Sequence, residues 1–133
     1  MPKSAPKTET SHFWVGEFAD RRAAEKYFAE QYDDDDTPLS EFARDQGVRW
    51  YDHDFMESSG FSKAAKPVVK LAKGHSYHEQ WAEELARRAN EAGLTGANLL
   101  IFISRDQIKK AKSVKGKEYS LHYLGTIEYR IDV

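Results

Sequence analysis

At 133 residues the chain has the length of a single domain and can bury one core without covalent staples. It has no cysteine, which excludes disulfides, a thiolate nucleophile and a thiolate zinc site. No apolar run approaches the roughly 18 residues that a membrane helix needs, so we expect no membrane contact. Residues 1–10 are rich in Pro, Lys and Thr and lack the apolar centre of a secretory signal. We therefore predict a disordered tail, one domain over residues 11–133, and a cytoplasmic protein.

Charge is unevenly distributed along the chain, although the formal net charge is only −2. Residues 17–57 contain 13 acidic and five basic residues, whereas residues 60–133 contain eight acidic and 13 basic residues. The acidic part includes one run of four adjacent carboxylates: Asp33, Asp34, Asp35 and Asp36. An acidic surface repels phosphates and attracts basic proteins. The charge distribution favours a protein partner over nucleic acid. The alternative is that both parts of the chain simply form solvated surface without a binding role.

The first part of the chain predicts one strand and two helices. Residues 11–16 are aromatic and β-branched, a pattern typical of a strand. Asp20 is placed to cap a helix that runs through Tyr32. Thr37-Pro38 combines a hydroxyl cap with a proline in the first turn, and it predicts a second helix that stops at Gly47.

Two further helices are predicted in the middle of the chain. Pro67 prevents a helix through the middle of the surrounding alanine- and lysine-rich stretch, but a short helix can begin near it. Ser76 and Glu79 have the spacing of a capping box, in which each side chain satisfies the other's backbone amide. This box is expected to open the longest helix, which ends at Gly93.

The C-terminal part is rich in strand patterns. Residues 97–104 are almost continuously apolar, which predicts a strand that is covered on both faces. Residues 105–117 are basic and predict a long exposed connection. Residues 118–124 and 126–131 alternate, and Gly125 between them marks either a tight turn or a bulge in one long strand. The order of elements predicts an α+β fold, with a mainly antiparallel sheet of about four strands and helices packed on it.

Residues 45–55 hold the densest set of candidate functional groups. Asp52, His53 and Asp54 are ligand and general-base types, so a metal-dependent enzyme centred on them is one hypothesis. A metal site requires several ligands that converge, whereas neighbouring side chains on an extended chain point to opposite faces. A second interpretation is that Asp52 or Asp54 caps a short helix that begins near His53 and runs toward Ser58. We predict no catalytic residue, no metal and no cofactor.

The same segment favours contact with a protein. Trp50 and Tyr51 are residue types that anchor interfaces when they are exposed, although we expect at least one of them in the core. We interpret both, together with Phe55, mainly as scaffold. Adjacent carboxylates repel one another, so the acidic run predicts a role outside folding. The predicted partner-binding residues are Asp33, Asp34, Asp35, Asp36, Asp52, Asp54, Trp50 and Tyr51. A weaker third hypothesis is nucleic-acid binding by the lysines of residues 105–117, for which a solvated loop is the plain alternative.

Several short motifs resemble those of a known bacterial family. They are Phe13-Trp14-Val15-Gly16 with Phe18, Ser40-x-Phe42-x-x-Asp45-x-Gly47, Tyr51-Asp52-His53-Asp54-Phe55, Gly74-His75-Ser76-Tyr77 and Leu124-Gly125. Together they resemble the immunity protein 22 family of polymorphic toxin systems, over nearly the whole chain after the first ten residues. The resemblance implies a small cytoplasmic protein without enzymatic activity. It implies tight stoichiometric binding to a cognate toxin domain, which protects the producing cell and its sister cells in interbacterial competition.

Overall fold

The computed structural model describes residues 7–32 and 36–132, and its central feature is a five-stranded antiparallel sheet. The strands are β1 (Thr8–Phe18), β2 (Met56–Ser58), β3 (Leu99–Ser104), β4 (Val114–Lys115) and β5 (Tyr119–Arg130). Their order across the sheet is β2-β3-β1-β5-β4. The prediction of an α+β fold with a mainly antiparallel sheet is confirmed, but the sheet has five strands rather than about four.

The strand count differs from the prediction because two edge strands are very short, and because the two alternating patterns beside Gly125 belong to one strand. β2 has three residues and β4 has two, too few to show a period in the sequence. The two alternating patterns on either side of Gly125 form the single long strand β5. β1 begins at Thr8, within the predicted tail, because it pairs with β5 as far as Arg130.

Within the described residues, four helices lie against the sheet: α1 (Arg21–Phe28), α2 (Glu41–Asp45), α3 (Val68–Ala72) and α4 (His78–Glu91). Asp20 caps α1 as predicted, and its carboxylate accepts a hydrogen bond from the amide of Ala23 at 2.8 Å. α1 ends at Phe28, before the predicted end at Tyr32. α3 follows Pro67 directly, which confirms the short helix predicted there.

Two predicted helix starts are wrong. Ser40, not Thr37-Pro38, caps α2, and its hydroxyl accepts from the amide of Ala43 at 3.1 Å. The predicted capping box at Ser76 and Glu79 does not form. The residue before α4 is Tyr77 in a left-handed conformation with φ 59°, and it makes no side-chain capping bond. The backbone of Ser76 is used elsewhere instead, because its carbonyl accepts from the indole of Trp81 at 3.0 Å.

The two faces of the sheet bury separate cores, so the molecule has three layers. One core joins β1, β3 and β5 to α1 and α2, and its largest buried side chains are Trp14, Tyr27, Phe42 and Tyr51. The other joins the same strands to α3 and α4 around Phe13, Trp81, Leu85 and Phe102. All six residues of β3 are buried, which confirms the strand predicted to be covered on both faces.

A bulge in β5 changes which alternate side chains face each core. Between His12 and Trp14 the register with β1 shifts, because β5 has one extra residue there. Odd-numbered side chains before the bulge, such as Leu121, belong to the core of α1 and α2. After the bulge the odd-numbered Tyr129 belongs to the core of α3 and α4. Of the two predicted alternatives for Gly125, the bulge is therefore the correct one.

Arg88 of α4 holds this bulge in place. Its guanidinium donates to the carbonyls of Leu124 and Thr126, both at 2.9 Å. Gly125 lies between these carbonyls with φ +91°, where a side chain is strained. An added Cβ would also lie 2.9 Å from Arg88 Nη1. Glycine is thus required both by the backbone and by the arginine.

Residues 105–117 are not the fully exposed connection that the sequence predicts. Ile108 is completely buried, and its carbonyl accepts a hydrogen bond from Nε2 of the buried His12 at 2.7 Å. The side-chain amide of Gln46 donates to the carbonyl of Lys112 at 2.9 Å and accepts from its amide at 2.8 Å. The indole of Trp14 donates to the same carbonyl at 3.1 Å. The backbone of this connection is therefore fixed against α2, while its lysine side chains remain exposed.

Candidate partner-binding face

Tyr51 anchors the segment of residues 49–55 to the core. Its side chain is fully buried, packs edge-on against Phe42, and lies with its hydroxyl 3.5 Å from Ser40 Oγ. Burial raises the pKa of the Tyr51 phenol, so the ring stays neutral. The expectation that at least one of Trp50 and Tyr51 lies in the core is confirmed by Tyr51.

Trp50 and Phe55, in contrast, are surface residues. They are 60% and 58% exposed, so their interpretation as scaffold is wrong. The reason is local geometry: Tyr51 takes the inward position of this extended stretch, and its neighbour Trp50 then points outward. Phe55 ends a 3₁₀ turn (His53–Phe55) that has no buried residue. Two large apolar side chains are therefore presented to solvent within six residues of each other.

Asp52 shapes the turn between these two aromatic residues. Its carboxylate accepts a hydrogen bond from the amide of Asp54 at 3.0 Å, which confirms the predicted cap. Its own amide donates to the side chain of Gln107 at 2.8 Å. The turn stops at Phe55 rather than near Ser58, because β2 begins at the next residue. Asp54 is exposed, and Asp52 is only partly so.

The N-terminal flank of the acidic run lies against this turn. The Nδ1 atom of His53 is 3.4 Å from a carboxylate oxygen of Glu30, and its Nε2 atom is 3.4 Å from a carboxylate oxygen of Asp54. The other oxygen of Glu30 accepts from the hydroxyl of Tyr32 at 2.8 Å. Tyr32 is itself 66% exposed. Charges and an aromatic ring from residues 30–32 thus extend the surface formed by residues 50–55.

The C-terminal flank of the acidic run also lies beside residues 49–55. Asp36 is exposed and forms an ion pair with Arg49 at 3.7 Å. The amide of Leu39 donates to the carbonyl of Arg49 at 2.8 Å, which holds the two chain segments together. The predicted binding residues Asp33, Asp34 and Asp35 lie outside the described residues.

These contacts join residues 30–36 to residues 49–55, and we call the exposed group that they form the aromatic–acidic face. It consists of Glu30, Tyr32, Asp36, Trp50, Asp52, His53, Asp54 and Phe55. Of the predicted partner-binding residues, the structure brings together Asp36, Asp52, Asp54 and Trp50 here, and Tyr51 supports them from beneath. The sequence reasoning missed Glu30 and Tyr32. The sequence signal that could have identified this part of the face is Tyr32. It is an aromatic residue directly before the acidic run, and it does not fit the apolar stripe of α1.

Asp45, at the start of the same sequence segment, serves the fold. Its carboxylate accepts from the hydroxyl of Tyr27 at 2.9 Å and from that of Tyr119 at 2.6 Å, so it joins α2 to α1 and β5. Burial and this carboxylate raise the pKa of Tyr119 to about 12. Asp45 is therefore not part of the aromatic–acidic face.

The side-chain geometry does not support the hypothesis of a metal-dependent enzyme. Within the described parts of the chain, no three His, Asp or Glu side chains are arranged to hold a metal ion. The carboxylate of Asp52 faces the backbone amide of Asp54, and His53 lies between Glu30 and Asp54. Over the same residues, no helix has both the length and the apolar content for crossing a membrane.

Comparison with models of known protein families gives a match over most of the chain. The family model described as Immunity protein 22 matches residues 12–130, which include both cores and the aromatic–acidic face. Comparisons with curated proteins and with solved structures give no significant match.

Proposed function

Because the chain belongs to the Immunity protein 22 family, we propose that it neutralises a cognate bacterial toxin by binding it stoichiometrically through the aromatic–acidic face. The observation that carries this proposal is the exposure of Trp50 and Phe55 on a segment that the buried Tyr51 holds in place. Aromatic side chains on a fixed backbone are efficient interface anchors, since little side-chain freedom is lost on binding.

The acidic groups suit a basic partner. Glu30 and Asp54 lie beside His53, and Asp36 lies beside Arg49, in the segment that carries the exposed aromatic residues. In the sequence, the acidic run Asp33–Asp36 directly follows Tyr32 and ends with Asp36 of this face. A toxin that acts on nucleic acid needs a basic cleft to hold phosphates. Carboxylates on the inhibitor would meet such a cleft in place of the phosphates and raise the association rate.

This role places the protein in the cytoplasm of the producing cell, as part of a polymorphic toxin system. There it acts on toxin made by the same cell or delivered by sister cells. Binding alone accounts for the protection, so the proposal requires no catalytic step. The face supplies apolar anchors for slow dissociation and charges for rapid encounter, which can be measured separately.

The first experiment tests the aromatic anchors with the toxin encoded beside this chain. Trp50→Ala and Phe55→Ala are each expected to speed dissociation by about 30-fold, which corresponds to about 2 kcal/mol of lost binding. The matched control is Val69→Ala, which shortens an exposed apolar side chain of α3 on the other layer. Surface plasmon resonance gives both rate constants. Unchanged dissociation in the two aromatic variants, or an equal effect of the control, would remove these residues from the interface.

The second experiment tests the carboxylates. Replacing Asp33–Asp36 by asparagine is expected to slow association and to make it less sensitive to salt, with the dissociation rate little changed. A matched control removes an equal number of charges from α4, through Glu79, Glu83, Glu84 and Glu91 to glutamine. Stopped-flow measurement at two ionic strengths separates the two variants. Association that slows equally in both variants would show that only net charge matters.

A further inference from the structure

A concave basin lined by cations lies at the β2 edge of the sheet. It has a volume of about 430 Å³ and is formed by residues 59–63, residues of α3 and the first residue of α1. Its charged lining consists of Arg21, Lys63, Lys66, Lys70 and Lys73, and His75 completes its polar wall. None of the described residues that line it is acidic. The basin shares no residue with the aromatic–acidic face.

These cations are not neutralised by the fold. Among the described residues, no ion pair joins any of the four lysines or Arg21 to a carboxylate. The arginines of α4 provide the contrast, because Arg87 pairs with Glu84 and Glu91 on the same helix. Like charges gathered in a concavity repel one another and raise the local positive potential. An anionic ligand would relieve this repulsion.

The backbone that carries the basin is fixed by hydrogen bonds to β3 and the residues before it. The amide of Ser59 donates to the carbonyl of Leu100 at 2.9 Å, and the amide of Ser62 donates to that of Asn98 at 2.8 Å. Lys66 exchanges a reciprocal pair of backbone bonds with Ala97, at 2.9 and 3.0 Å. The site therefore does not have to order its backbone when a ligand binds.

An apolar groove continues from the basin. It has a volume of about 250 Å³, and it shares Arg21, Gly60 and Phe61 with the basin. The guanidinium of Arg21 lies over the ring of Phe61, 5.5 Å from its centroid. The groove is lined mainly by apolar side chains, together with Glu25 and Ser58; the apolar members are Ala24, Phe28, Met56, Phe61 and Leu99. Cationic and apolar compartments thus meet at one arginine–aromatic pair.

We propose that the basin and groove together bind a small molecule that carries clustered phosphates and an aromatic ring, of the nucleoside triphosphate class. The lysines hold the phosphates, and the ring enters the groove beside Phe61. Lysine ammonium groups suit phosphate oxygens, and a flat ring suits an apolar wall that bears an aromatic residue.

The arrangement favours such a compact ligand over a nucleic-acid strand. A strand requires a basic groove that follows its backbone over several nucleotides. The other lysine-rich segment lies elsewhere, because Lys109, Lys110 and Lys112 line a separate cavity beside Gln46 of the α2 layer. The positive charge is thus divided between two sites instead of forming one track.

Titration of the full chain with adenosine triphosphate, followed by amide NMR, tests the proposal. We expect saturable shifts at Gly60 and Phe61. The double variant Lys66→Gln/Lys70→Gln should bind about 100-fold more weakly, or about tenfold per charge-assisted contact. The matched control Lys109→Gln/Lys110→Gln removes the same charge from the other lysine cluster and should change binding less than about twofold, because distant exposed charges are screened.

Binding of inorganic tripolyphosphate and of a single-stranded oligonucleotide separates the contribution of the basin from that of the groove. Phe61→Leu is expected to weaken the nucleotide and to leave inorganic tripolyphosphate unaffected. The proposal would be overturned by any of four results. The first three are no saturation by the nucleotide, an equal loss in the control variant, and a single-stranded oligonucleotide that binds the basin more tightly than the nucleotide. Equal affinity for tripolyphosphate and the nucleotide would also overturn it, since the groove would then hold no ring.

Discussion

Replacing Gly125 by alanine is expected to destabilise the protein by about 2–4 kcal/mol. The backbone at this residue has φ +91°, and a side chain there costs roughly 1–2 kcal/mol. The new Cβ would also lie 2.9 Å from Arg88 Nη1, so the guanidinium must move. The two hydrogen bonds from Arg88 to the bulge carbonyls are then weakened, which lowers the free energy of unfolding by a further amount of about 1–2 kcal/mol.

Gly74 provides a matched control for the backbone contribution. Its φ is +89°, and nothing lies within 4 Å of an added Cβ. Gly74→Ala is therefore expected to cost only the strain of the left-handed conformation, about 1–2 kcal/mol. Urea unfolding, followed by the fluorescence of the buried Trp14 and Trp81, gives the free energy of unfolding for each variant.

A double-mutant cycle isolates the contribution of the arginine. In an Arg88→Met background, Gly125→Ala should cost no more than Gly74→Ala, because no guanidinium remains to be displaced. If Gly125→Ala and Gly74→Ala already cost the same in the wild-type background, Arg88 does not hold the bulge. The hydrogen bonds from Arg88 to the bulge carbonyls would then contribute little to the stability of β5.

Three further predictions concern groups inside the fold. Burial lowers the pKa of His12 below 6.5, so the unfolded chain takes up a proton before the folded protein does as the pH falls through 6.5. The urea concentration at the unfolding midpoint should therefore fall as the pH is lowered through this range. The variant His12→Gln should abolish this pH dependence. Asp45→Ala leaves two tyrosine hydroxyls without their acceptor; it should cost about 2–3 kcal/mol in thermal unfolding and lower the pKa of Tyr119 in an ultraviolet titration. Gln46→Ala should accelerate amide hydrogen exchange in residues 105–117, since the backbone clamp there is lost.

Strong sequence patterns predicted the elements that form the two cores. The continuous apolar run of β3 and the apolar stripe of α4 each contain enough residues to show their period. Asp20 and Gly47 also mark helix ends correctly, because their roles depend on local backbone geometry. The sequence left Gly125 open between a turn and a bulge. That choice depends on pairing with β1, which is distant in the chain.

Helix starts were mispredicted where two local signals compete. Thr37 and Ser40 are both hydroxyl residues with helix-forming residues after them. Gln31 donates to the carbonyls of Thr37 and Pro38, both at 2.9 Å, and its contacts hold that stretch outside the helix. Ser40 then becomes the cap. No local pattern encodes this contact.

The sequence indicated which residue types form the candidate site, but it did not indicate which of their side chains are exposed. Trp50 and Tyr51 are adjacent aromatic residues, and either could occupy the core by composition alone. The buried position beside Phe42 decides in favour of Tyr51, which leaves Trp50 in solvent. Tyr32 became part of the face because α1 ends early. Both outcomes are tertiary effects, so a single sequence does not reveal them.

The anchoring of the aromatic–acidic face by one buried side chain has an evolutionary consequence. Substitutions at exposed positions such as Trp50, His53 and Phe55 change stability little, commonly by less than about 0.5 kcal/mol. Tyr51 and the cap at Asp52 keep the loop in shape whichever residues surround them. A lineage that meets an altered toxin can therefore exchange recognition residues one at a time, and every intermediate sequence still folds.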